Sequence, residues 1–124
     1  MIEQIKGRHG LRLAALEKRL EVHQQAYSLW RELSSSIMNQ KDVKSISKKC
    51  EDWWWENCLY LDAQAREAFW SAFRLAPPNY YELSREEKNE TRKDLDKAIS
   101  SLEKAVELPP INIKLDDFKK DNKG

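Results

Sequence analysis

The chain has 124 residues, 40% of them apolar and 35% charged, and its 22 basic and 21 acidic side chains leave a net charge of +1. One domain with a core of its own is the simplest organisation at this length. Lys and Arg are interleaved with Glu and Asp, which argues against a nucleic-acid or anionic-membrane surface built on a basic excess. Three glycines and four prolines are too few for the many turns of a β-sandwich or barrel.

No apolar run approaches the roughly 18 residues of a membrane-spanning helix. Residues 1–10 lack the apolar centre of a secretory signal, so a cytoplasmic location is expected. Gly7 and Gly10 lower helix stability, and the stretch reads as a frayed lead-in.

From Leu11 to about Ile37 the pattern is helical. Leu13, Leu16, Leu20, His23, Tyr27, Trp30, Ser34 and Ile37 recur in alternating steps of three and four, the a/d spacing of a packed or coiled helix. A second apolar set, Ala15, Val22, Leu29 and Leu33, lies on the adjoining flank. Together they cover roughly half of the helical wheel, more than one neighbour can bury. The a/d row is expected to be core. Val22, Leu29 and Leu33 are the surplus arc expected to meet a partner.

Ser34 to Lys41 reads as a break, because Ser and Asn side chains compete for backbone hydrogen bonds. Asp42 is an expected N-cap for a second helix, Val43 to Asn57. Leu59, Tyr60 and Leu61 suggest a tight, partly buried connection. Asp62 caps a third helix, Ala63 to about Leu75, whose face is Ala65, Ala68, Phe69, Ala72, Phe73 and Ala76. Pro77-Pro78 ends it. Asn79 to Leu83 is a connector with two tyrosines. Ser84 to Glu87 has the form of a capping box. The fourth helix then runs to about Leu108 on a stripe of Thr91, Leu95, Ala98, Ile99, Leu102, Ala105 and Val106. Pro109-Pro110 stops it. Ile111 to Leu115 alternates like an extended arm, and Asp116 to Gly124 reads as a charged, flexible tail. Residues 1–110 therefore form the domain and 111–124 the tail.

Three of the five tryptophans are consecutive, at 53, 54 and 55. On the second helix Trp53 and Trp54 lie within about 60° of the apolar stripe, whereas Trp55 lies about 160° away. Trp53 and Trp54 are expected in the core. Trp55 is expected either beneath a connector or the C-terminal arm, or exposed as an anchor for a partner. His23 and Asn57 are candidate buried polar residues, with His23 paired to Asn57, Tyr60 or a carboxylate.

Cys50 and Cys58 read as buried free thiols. Their spacing, with His9 and His23 far away, does not make a structural zinc site. No nucleophile elbow, phosphate loop, metalloprotease or dinucleotide motif is present, so no catalytic residue and no cofactor is assigned. Lys48 and Lys49 near Trp55, with Arg66 and Arg74, are the best nucleic-acid patch, weakened by the acids among them.

The run from Leu16 to Trp30 (LEKRLEVHQQAYSLW), followed by Cys50-x-x-Trp53-Trp54-x-x-Asn57-Cys58-Leu59-Tyr60-Leu61, resembles uncharacterised bacterial helical proteins over roughly residues 11–75. The resemblance implies a bacterial origin and an all-helical domain. In some of those proteins such a helix follows a membrane segment. It implies no activity.

The expected fold is all-α, a compact bundle of about four helices, two long and two short, with a flexible C-terminal tail. The expected core is Leu16, Leu20, Tyr27, Trp30, Ile46, Cys50, Trp53, Trp54, Phe69, Phe73, Leu95, Ile99 and Leu102. The expected function is a non-catalytic protein–protein interaction module that self-associates as a homo-oligomer or binds another protein. Alternatives are nucleic-acid binding through Trp55, Lys48 and Lys49, and a small-ligand site around His23 and Tyr60.

Overall fold

A computed structural model describes residues 2–107, with side chains from Leu13 onward. Pro109-Pro110, the Ile111–Leu115 arm and the tail lie outside the described residues. Four α-helices, and no strand, make up those described: α1 (Ile2–Asn39), α2 (Val43–Asn57), α3 (Ala63–Arg74) and α4 (Arg85–Val106). Single 3-10 turns at Cys58–Tyr60 and Tyr80–Glu82 carry the α2–α3 and α3–α4 connections.

Cross-contacts give the direction of each helix. Lys49 meets Glu32 and Trp53 meets Gln25, so α2 runs back along α1. Trp54 meets Arg66 and Glu51 meets Arg74, so α3 reverses again. Trp30 meets Leu95, while Leu20 and Ala105 share a groove, so α4 is antiparallel to α1. The result is an up-down-up-down bundle in which α1 and α3 each pack against α2 and α4 and also touch one another across the middle.

The core has two joined parts. Leu29, Leu33, Ile37, Val43, Cys50, Phe69, Phe73, Tyr80 and Leu95 fill one. Val22, Ala26, Leu61, Ala65 and Leu102 fill the other, next to the α2–α3 corner. Trp30, Trp53 and Trp54 are half-buried and pack against both, which ties the two together.

Helix α1 is turned relative to expectation. Val22, Leu29 and Leu33 are core, not interface, whereas Leu16, Leu20 and Tyr27 are exposed, not core. The a/d rule assumes a single seam. Here α1 packs between two neighbours: α2 on the side of Gln25 and Glu32, and α4 on the side of His23 and Trp30. The row between those two contact lines, Val22, Ala26, Leu29, Leu33 and Ile37, is the one buried. The exposed leucines are centred about 130° further round the helix.

Helix ends also differ from the sequence expectation. The lead-in belongs to α1, which also passes through the serine run to Asn39. It stops in a Schellman arrangement: Lys41 N–H donates to Ser36 O (3.0 Å) and Gln40 N–H to Ile37 O (3.2 Å). Gln40 takes the left-handed position usual for glycine (φ 51°), and its Oε1 accepts from the Tyr81 backbone N–H at 3.1 Å. Asp42 is also left-handed (φ 57°) and makes no side-chain cap. Asp62 and Ser84 do cap. Asp62 accepts from Gln64 N–H, and Ser84 with Glu87 completes the capping box. Helix α4 ends at Val106, two residues before Leu108.

The connector after Pro77-Pro78 is more buried than its polarity suggests. Tyr80 is 1% exposed and its hydroxyl accepts from Arg92 Nε at 2.8 Å, whereas Tyr81 is exposed.

Candidate functional site

Helix α1 is 38 residues long and α4 is 22, so α1 is about 57 Å and α4 about 33 Å at 1.5 Å per residue. Ala105 and Val106, the last turn of α4, lie beside Leu16, Leu20, His23 and Tyr27. Towards its N-terminus α1 therefore outruns α4. On this half Leu13, Leu16, Leu20 and Tyr27 form a row at heptad spacing, 48%, 48%, 37% and 42% exposed. Two clefts of about 260 and 160 Å³ continue the row into the α1–α4 groove. Their walls are largely apolar, and Arg19 and Glu103 stand in them.

His23 sits at the floor of both clefts and is buried. Its Nδ1 lies 2.7 Å from Arg19 O, and its Nε2 accepts from the Asp62 backbone N–H at 3.1 Å. That pattern selects the neutral Nδ1–H tautomer, with both nitrogens occupied. The pairing with Asn57, Tyr60 or a carboxylate expected from sequence is not the one formed. Asn57 is half-buried and bonds Trp53 O within its own helix. Tyr60 is exposed, with Lys18 Nζ 5.7 Å over its ring. His23 thus fastens α1 to the start of α3, and His23 with Tyr60 forms no enclosed ligand chamber.

On the opposite side of the bundle, α2 and α3 carry a tryptophan cluster. Trp55 is 64% exposed. Neighbouring indoles back it: Trp54 lies 5.0 Å away at 89° and Trp70 5.8 Å away at 83°. Trp54 and Trp70 are themselves 4.5 Å apart. Trp55 meets both edge-on and the Trp54–Trp70 pair is tilted by 50°, so the rings pack against one another as a platform and do not form a cage around a cation. Trp70 was not singled out in the sequence. The signals for it are a tryptophan beside the Phe69–Phe73 face and Arg74 four residues on. Arg74 lies 5.2 Å over the Trp70 ring and 3.6 Å from Glu51.

The cations near Trp55 have partners. Lys48 pairs with Asp52 at 2.8 Å, and that hydrogen bond holds its pKa above the usual lysine value. Lys49 pairs with Glu32 at 3.1 Å. Arg66 donates to Cys58 O and Leu61 O, closing the α2–α3 corner. Cys50 is buried and Cys58 half-buried, and both are free. Burial, then the nearby Glu32 carboxylate, pushes the Cys50 thiol up to about 12. Between α3 and α4 an open cleft is lined by Gln64, Glu67, Ser71, Asp94 and Lys97, and burial raises the Asp94 carboxyl. Among the described residues no group of His, Cys, Asp and Glu could hold a metal, and no helix is long and apolar enough to cross a membrane. Comparison with protein-family models, curated proteins and solved structures finds no match for the chain.

Proposed function

We propose that this chain is a non-catalytic assembly module that pairs with a second copy of itself through the N-terminal half of α1. The observation that carries the reading is the row Leu13, Leu16, Leu20 and Tyr27: heptad-spaced, exposed, and on a helix that outruns its own bundle. Seated against the same row of another copy, it gives an isologous helix–helix interface. A net charge of +1 offers little repulsion between copies. Trp55 stands on the opposite side, so one symmetric contact cannot use both surfaces. It offers a separate aromatic anchor.

Nucleic-acid binding is the weaker reading, since Lys48, Lys49 and Arg74 each face a carboxylate. Light scattering and sedimentation test the proposal. The chain should be a dimer at tens of micromolar (order of magnitude), Leu16→Glu with Leu20→Glu should be monomeric, and Trp55→Ala should stay dimeric. A parent chain that is monomeric throughout that range overturns it.

A further inference from the structure

We propose that the groove between α1 and the last turn of α4 receives the chain's own segment Ile111–Leu115, which then covers the α1 row and competes with a second copy for it. The competition rests on the self-association reading above. The docking does not.

The described chain ends at Glu107, one residue past Val106, and Val106 lines the groove. The chain therefore leaves its described part at the groove's edge. Pro109 and Pro110 cannot continue α4, because proline lacks the N–H and restricts the residue before it. The link Leu108–Pro110 reaches about 10 Å, enough to step between packed helix axes 8–10 Å apart. Alternation then places Ile111, Ile113 and Leu115 on one side of an extended strand about 13 Å long. Leu13 to Leu20 on α1 spans about 10 Å. Because α4 is antiparallel to α1, a chain leaving α4 is already headed along that row. Length, direction and apolar period therefore all fit a single occupant.

The test uses the full chain with Cys58→Ser; Cys50 is buried. Leu16→Cys, in the exposed row, is combined with Ile113→Cys, which the alternation turns towards it. The control pairs Ile113→Cys with Lys104→Cys, which is exposed, nearer in sequence and on the other face of α4. In a glutathione redox buffer, docking gives an intramolecular disulfide in the first pair, at least about tenfold in excess of the control. Ile111→Asp with Leu115→Asp should erase that excess while helicity is kept. In the chain that retains its native cysteines, Ile111→Asp, Ile113→Asp and Leu115→Asp together make a triple variant without the apolar face. Equal cross-linking in the two pairs overturns the docking, and a cross-linked dimer overturns it in favour of an exchanged tail. Competition is read separately: the triple substitution should tighten self-association by about tenfold or more. If the cross-link excess persists while self-association is unchanged by the triple substitution, the competition is wrong. If parent and triple variant are both monomeric, the self-association reading fails while the docking stands.

Discussion

Trp30 concentrates the energetics of the bundle in one side chain. It packs against both parts of the core and donates from Nε1 to Leu95 O at 2.9 Å, joining α1 to α4. Trp30→Ala should cost about 3–5 kcal/mol in urea unfolding, because it removes a large contact and leaves a cavity. Trp30→Phe keeps much of the packing and loses the hydrogen bond, so it should cost less, and near-parental stability for the alanine variant would contradict the core assignment. Cys50 gives a pH prediction. Its thiol is pushed up to about 12 in the native protein, against 9.0 when unperturbed. The folded state then holds the proton more tightly, so this contribution is complete below pH 9.0 and is lost as pH rises towards about 12. Stability should fall over that window, and the fall should flatten in Cys50→Ala. Alkylation of the native protein, followed by mass spectrometry, should modify Cys58 and spare Cys50.

At the scale of elements, the helix boundaries show which local rules hold. The Ser84 capping box forms as the sequence implies, and Ser84→Ala should cost about 1 kcal/mol. Asp42 does not cap. Its left-handed backbone is unfavourable for a residue with a Cβ, and its carboxylate makes no cap in return. Asp42→Gly should therefore raise stability by up to about 1 kcal/mol, visible as a melting point a few degrees higher. An unchanged or lower melting point would show that the carboxylate contributes something its geometry does not reveal. Gln40, also left-handed, holds the Tyr81 N–H, so its replacement by glycine removes a contact while relieving strain.

At the scale of the molecule, function turns on which face of α1 is left outside. A bundle that buries Val22, Leu29 and Leu33 presents Leu13, Leu16 and Leu20 instead. Val22→Glu should accordingly unfold the protein, because it puts a charge where exposure is 0%. Leu16→Glu should leave the helical circular dichroism nearly unchanged and weaken self-association. The opposite pattern, a folded Val22→Glu monomer, would restore the interface expected from sequence.

Helix existence was legible because it depends on local terms: apolar period, the Asp62 and Ser84 caps, and Pro77-Pro78 after α3. The α3 face was legible for the same reason, since Ala65, Ala68, Phe69, Ala72 and Phe73 have no competing apolar row. Three things were decided only by tertiary packing. The phase of α1 depends on where two neighbours touch it, which periodicity does not record. The partners of His23 are backbone groups of Arg19 and Asp62, the second brought near by the α2–α3 corner. The surroundings of Trp55 depend on Trp70, fifteen residues away in sequence and brought within 5.8 Å by the reversal of α3. Local pattern determines which residues can be buried in a helix, and the placement of neighbouring helices selects which of them are.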